Sequence, residues 1–330
     1  MKSNFKWTKR GLIFVPDHLH DDPGHDDPGH DDHGHEWMST HAQLPVVDTT
    51  IPSVLRIYFG TRDKQNRSVA AFVDVDPENP GRVIRAGDSP ALGLGELGSF
   101  DDCGVIPSSI VNHGGRKFLY YVGVNTSTTV PYRYSIGLAE STDGGITFHR
   151  NGYGPVVERT FSEPHLCTAP CVLAGNPWRM WYVAGLGWEM ADGKPEPLYN
   201  IRYTESPDGI AWTRPGRVAV EIKNQNEGGI GRPAVMVEDG LYRMWFSFRG
   251  RRDYRSNRTQ TYRIGYAESG DGLEWDRRDE MAGIDISDAG WDSEMIAYPH
   301  VFRHREQTFM VYNGNGFGRS GFGYAVLETE

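Results

Sequence analysis

The sequence predicts an all-β fold: a five-bladed β-propeller, with blades of three to four antiparallel strands around a central funnel. Three observations predict it. One segment recurs at near-equal intervals, as IGLAESTDGGITF from Ile136, IRYTESPDGIAW from Ile201 and IGYAESGDGLEW from Ile264, with a fainter FGYAVLE from Phe322. Upstream of each copy stands a short aromatic strand: RKFLYYVG, WRMWYVAG, LYRMWFSFRG and QTFMVYNGNG. Ahead of these comes a Pro-containing opener: GVIPSSIV, CTAPCVLA, GRPAVMV and AYPHVF. The N-terminal region adds HAQLPVVD, LRIYFGTRD and SVAAFVDVD, which brings the units to five, and no segment carries a helical stripe.

Each element follows from local chemistry. In YAESGDGLEW, Tyr266 and Glu268 alternate with Ala267 and Ser269, the period of a strand. Asp271 and Gly272 accept the backbone angles of a tight turn, and Trp275 opens the return strand. The S-x-D-G-x-x-W element is therefore a turn-and-anchor device whose Asp bonds the turn backbone, not an active site. GNGFGRSG near the C-terminus follows a strand and precedes another, where a dinucleotide site needs a helix, so it reads as a hairpin.

Composition narrows the function. Thirty-four basic against 44 acidic residues give a net charge of −10, which argues against nucleic acid or an anionic membrane as main partner. Nothing reads as a membrane span, and the apolar run of the N-terminus is too short for a secretory signal. Cys103, Cys167 and Cys171 do not form a disulfide framework; buried thiols and a cytoplasmic location are expected.

Two regions are expected: an N-terminal segment, 1–36, and a single propeller domain, 37–330. The segment holds a His/Asp-rich insertion at 18–35, in which His20, His25, His30 and His35 recur every five residues. Pro and Gly keep it from regular structure. Imidazole and carboxylate suit adventitious Zn²⁺ or Ni²⁺, and such binding would not imply a catalytic metal.

Residues at or before the opening strands of a propeller converge on its funnel. They are Glu36, His41 and Gln43; Asp101 and Asp102; Glu163 and His165; Glu227 and Arg232; and Asp292, Glu294 and His300. An acid precedes nearly every inner strand. Glycosidic cleavage needs two carboxyl groups, one protonated and one ionised, which makes Glu294, Asp102, Glu227 and Glu163 the catalytic candidates. Arg62, Asp63 and Arg232, with His41, Gln43 and His300, are candidates to orient substrate, since guanidinium forks match phosphate and carboxylate. Trp188, in GLGWEMADGKPEPLYN, reads as an aromatic on an irregular loop, placed to stack on a sugar.

With its acid-led openers and ES-x-DG-x-x-W turns, the chain after residue 36 resembles the five-bladed glycosidase superfamily of arabinanases, β-xylosidases, invertases, levansucrases and mannoside phosphorylases. It is also similar to uncharacterised glycosidase-like propellers of polysaccharide biosynthesis. The resemblance implies a saccharide substrate, an Asp on the first blade, an acid Glu, Ca²⁺ in the funnel in some members, and phosphate as co-substrate in the phosphorylases. Here His41 and Gln43 stand where the first-blade Asp is expected, which leaves the base role to Asp102, Glu36 or Asp63. Two readings stay open. One is a glycosidase or phosphorylase/transferase with Glu294 as acid and Asp102 as base or nucleophile. The other is a non-catalytic propeller binding a sugar or a partner. Oligomeric state is not legible.

Overall fold

The computed structural model describes residues 5–16, 36–191 and 193–328. The tract holding His20, His25, His30 and His35 lies outside them. The fold is all-β and propeller-like; among the described residues, twenty strands pair antiparallel in five sets of four. The first set is β2 (Thr40–Asp48), β3 (Leu55–Arg62), β4 (Ser68–Val75) and β5 (Val83–Ala86). The second is β6 (Gly104–His113), β7 (Arg116–Thr126), β8 (Tyr132–Ser141) and β9 (His149–Arg150). The third is β10 (Cys167–Leu173), β11 (Trp178–Ala191), β12 (Lys194–Ser206) and β13 (Arg217–Val220).

The fourth set is β14 (Glu227–Glu238), β15 (Leu241–Gly250), β16 (Arg263–Ser269) and β17 (Asp276–Arg277). In the fifth, β18 (Ala297–His304), β19 (Gln307–Asn313) and β20 (Phe322–Leu327) are completed by the N-terminal strand β1 (Trp7–Phe14), which pairs with β20. Single parallel bridges, Ser68 to Gly104 and Tyr199 to Gly229, link neighbouring sets.

The first strands β2, β6, β10, β14 and β18 touch in that order, and β18 touches β2 again. The apolar residues lie between sets. Val46, Tyr58 and Phe72 meet Leu119 and Phe148; Phe118 and Tyr120 meet Trp178 and Trp212; Trp181 and Tyr203 meet Met244 and Phe246. Trp245 and Tyr266 meet Met310 and Tyr312, while Phe302 and Phe309 meet Ile57 and Phe59. Each set thus buries both faces, which is why its middle strands are almost continuously apolar rather than alternating.

The repeated turns fasten these junctions. Ser141, Ser206 and Ser269 donate to Asp143, Asp208 and Asp271 at 2.7, 2.9 and 2.9 Å, and each Asp accepts backbone N–H groups across its turn. The turn glycine carbonyls then receive a donor from the preceding set. Tyr58 Oη donates to Gly145 O at 2.7 Å, Tyr120 Oη to Gly209 O at 2.7 Å, and Trp181 Nε1 to Gly272 O at 3.0 Å. Gly209 has φ +77°, and a Cβ there would come within 2.7 Å of the Tyr120 hydroxyl, so both conformation and space require glycine. The recurring motif anchors one set to the next.

One local expectation changes. Trp188 lies not on an irregular loop but in the long β11–β12 hairpin, whose ladder runs out to Ala191 opposite Lys194. GNGFGRSG joins β19 and β20 as a hairpin, as expected, with Gly316 and Phe317 in the left-handed region.

Candidate functional site

The acids ahead of the inner strands turn out to be latches. Asp101 accepts Tyr121 Oη at 2.9 Å and Arg150 Nε at 2.8 Å. Glu163 accepts Tyr182 Oη at 2.8 Å, Arg202 at 3.2 Å and Arg214. Glu227 accepts both terminal nitrogens of Arg277, at 2.8 and 2.6 Å. Asp292 accepts Tyr312 Oη at 2.9 Å and Lys9 Nζ at 2.7 Å. In each, the carboxylate precedes or opens the first strand and a paired cation lies on or beside the fourth; three also take a tyrosine of the second strand, and Glu163 a further arginine, Arg202, of the third. Phe246 holds the tyrosine's place in the fourth set, with Arg277 over its ring at 5.1 Å.

Glu163 and Glu227, expected as catalytic acids, are instead buried and paired with arginines, and neither lines the cavity described below. Glu294 is exposed, and its backbone N–H donates to Asn315 Oδ1 at 2.8 Å. Asp102 accepts Asn125 Nδ2 at 2.6 Å and the Gly98 N–H at 2.9 Å. Burial works to raise its pKa, but hydrogen bonds from Cys103, Gly98 and Asn125 outweigh it and hold the carboxyl below its usual range. Neither residue lines the central cavity.

That cavity, of about 550 Å³, is walled by the residue preceding proline in every opener: Leu44, Ile106, Ala169, Arg232 and Tyr298. Four of the five have positive φ (52°, 47°, 54° and 56° for Leu44, Ala169, Arg232 and Tyr298), a conformation rare for such residues. One wall is apolar, with Ile106, Val122, Leu166 and Val183; tyrosines 132, 134, 199, 262 and 298 and arginines 62, 67 and 232 supply much of the rest. Among the described residues, no Asp or Glu lines it.

Of the residues expected to hold substrate, Gln43, Arg62 and Arg232 line this cavity. Gln43 bridges: it donates to Phe317 O at 2.7 Å and accepts Arg62 Nε and Nη2 at 3.3 and 3.2 Å. His41 sits near Arg62, and burial with the charges of Arg62 and Arg319 lowers its pKa to about 4. His300 is lowered to about 3 by burial and by Arg232. Both imidazoles are neutral at pH 7. Asp63 caps its own turn, accepting the N–H groups of Gln65 and Arg67 at 2.9 Å and pairing with the Arg67 guanidinium. Trp188 stands behind the wall, 5.4 Å from the Tyr132 ring.

The tyrosines were missed in the sequence, although the opener carried a usable signal: five X-Pro steps at equivalent places. Tyr132 and Tyr134 stack at 4.3 Å, and Tyr199 and Tyr262 share a short hydroxyl–hydroxyl bond, with Arg249 Nε donating to Tyr199 Oη at 3.0 Å. All three cysteines are free thiols. Among the described residues, no three His, Cys, Asp or Glu cluster as a metal site, and no helix is long and apolar enough to cross a membrane.

No family model matches the chain. Two proteins of Mycobacterium tuberculosis, uncharacterized protein MT1551 (strain CDC 1551 / Oshkosh) and uncharacterized protein Rv1502 (strain ATCC 25618 / H37Rv), are each 41% identical over 324 residues, covering 98% of this chain and 99% of theirs. The chain belongs to their family. Among solved structures the likeness is one of fold. A "Glycoside hydrolase" superposes with TM-score 0.71 at 15% identity, covering 98% of this chain and 91% of its own. A thermostable family-43 glycoside hydrolase gives 0.62 at 16% identity (88% of each chain), and an exo-1,5-alpha-L-arabinanase from a bovine ruminal metagenomic library gives 0.61 at 12% (88% and 97%). The MT1551/Rv1502 family member described here thus resembles the propeller glycosidase superfamily in architecture.

Proposed function

We propose that this protein is a five-bladed propeller that binds a saccharide in its central cavity through phenol, guanidinium and apolar contacts, without a carboxylate pair of the hydrolytic kind. The blade count is supported by five strand sets, five inter-set cores and the cyclic contact of the first strands. A saccharide is supported by the glycoside hydrolases that share the fold and by a cavity large enough for one or two sugar rings. The observation that carries the reading is the cavity wall, with five tyrosines, three arginines and no described carboxylate. Tyrosine faces pack against the C–H faces of sugars while their hydroxyls bond the rim.

A second reading, cleavage of a glycosidic bond, is favoured by the glycoside hydrolases that share the fold. The two are separated by titrating saccharides calorimetrically while screening aryl glycosides for turnover, with and without phosphate. Binding without turnover is the expected result. Turnover that disappears in Glu294→Gln and Asp102→Asn would overturn it.

A further inference from the structure

We propose that the cavity is an anion-binding site, in which Arg232 and Arg62 receive the carboxylate or phosphate of the bound ligand. The inference rests on the saccharide reading above for the body of that ligand, but its own support is the treatment of buried charge in this molecule. Three arginines are fully buried: Arg56, Arg232 and Arg249, at 4%, 2% and 1% exposure. Arg56 has Asp74 at 2.7 Å, and the less deeply buried Arg214 and Arg277 are neutralised by Glu163 and Glu227. Arg249 lies over the ring of Tyr254 at 3.9 Å and donates to Tyr199.

Arg232 has no such compensation. Its donors reach only two carbonyls, Pro45 O at 3.1 Å and Pro233 O at a long 3.4 Å, and its Nε has no partner. Among the described residues no carboxylate lies within ion-pair distance of it. Arg62, half-buried, bonds the neutral side chains of Gln43 and Asn66. Burying an unpaired cation costs several kcal/mol on the general scale; Arg56, Arg214 and Arg277 meet that cost with a carboxylate, and Arg249 with a phenol and two carbonyls, whereas Arg232 has two carbonyls and an unpartnered Nε. Burial, with the Arg232 charge adding to it, lowers the pKa of neighbouring His300 to about 3; of the three arginines on the wall, Arg67 is paired with Asp63, while Arg62 and Arg232 have no carboxylate partner among the described residues. The apolar lining of Ile106, Val122, Leu166 and Val183 in the same cavity receives the uncharged part of the ligand.

The test compares glucuronate, glucose 1-phosphate, glucose and inorganic phosphate, by calorimetry and thermal shift, on the full chain and on Arg232→Met. Glucuronate or glucose 1-phosphate should bind the natural protein more tightly than glucose. In Arg232→Met that preference should fall roughly tenfold to a hundredfold, as loss of a charge-assisted contact implies. Unliganded Arg232→Met should melt no lower than the natural protein, because methionine removes an unpaired buried charge; a purely structural arginine would give the opposite. If Arg232→Met does not fold, Arg62→Met and the four-ligand comparison on the natural chain decide. Glucose binding as tightly as both anions would overturn the anion site and leave the saccharide reading standing. Inorganic phosphate binding while neither sugar anion improves on it would support the anion site and sink the saccharide reading. Which of glucuronate and glucose 1-phosphate binds better identifies the charged group. Binding of none of the four overturns both.

Discussion

Glu163 illustrates how a side chain that looks catalytic in sequence becomes structural in three dimensions. Its acidity and its place before an inner strand are those of a funnel acid, yet two arginines and a phenol occupy its oxygens. Glu163→Gln should destabilise the fold by about 3–5 kcal/mol in urea denaturation, since it leaves buried guanidinium charge uncompensated. Asp102→Asn, at a partly exposed turn, should cost under about 1 kcal/mol. Equal effects would refute the latch assignment. The two neutral histidines make a second prediction at this scale. Their folded pKa values, about 4 and about 3, lie below the 6.5 of an ordinary histidine, so the unfolded chain binds more protons between these limits. Stability should be level above pH 7, fall as pH drops below 6.5, and fall less steeply in that window when His300 is replaced by Asn. A urea midpoint that does not change from pH 7 to 5 would contradict this. Below about pH 4 the carboxyl of Asp48 adds to the loss: Lys117 and Thr50 outweigh its burial and depress its pKa, so its contribution disappears as it protonates.

At the scale of elements, the turns were legible and the cavity was not. Period-two alternation followed by Asp-Gly marks a hairpin from a dozen residues, because the chemistry is contained within them. The sequence also placed the turn Asp correctly as a bond to its own backbone. It could not show that Gly145, Gly209 and Gly272 receive donors from the preceding set, since Tyr120 and Gly209, for example, are far apart in the chain. Tyr120→Phe should lose about 1–2 kcal/mol by leaving the Gly209 carbonyl without its donor; an unchanged unfolding midpoint would refute the anchoring role. The acids were read as funnel groups because sequence gives position along a strand but not the cations that close on it from the fourth strand. The pre-proline ring and the tyrosines escaped for a related reason: five residues of different chemistry share a place only when the sets are superposed.

The whole molecule depends on a closure that begins before the repeat does. β1 completes the fifth set through β20, and Trp7 donates to Ala282 O at 3.1 Å within the core between the fourth and fifth sets. Removing residues 1–14 exposes the edge of β20 and the apolar face beneath it, so the truncated chain should lose its cooperative thermal transition and self-associate. A monomer with unchanged melting would contradict the closure. Cavity geometry depends on all five first strands, because each contributes one pre-proline residue.

The most direct measurement is a crystal structure of the protein soaked with glucuronate. The account predicts the sugar inside the ring of pre-proline residues, its carboxylate on Arg232 and Arg62 and its body against the tyrosines and the apolar wall. A sugar held instead between Glu294 and Asp102, or an empty central cavity at saturating ligand, would contradict it.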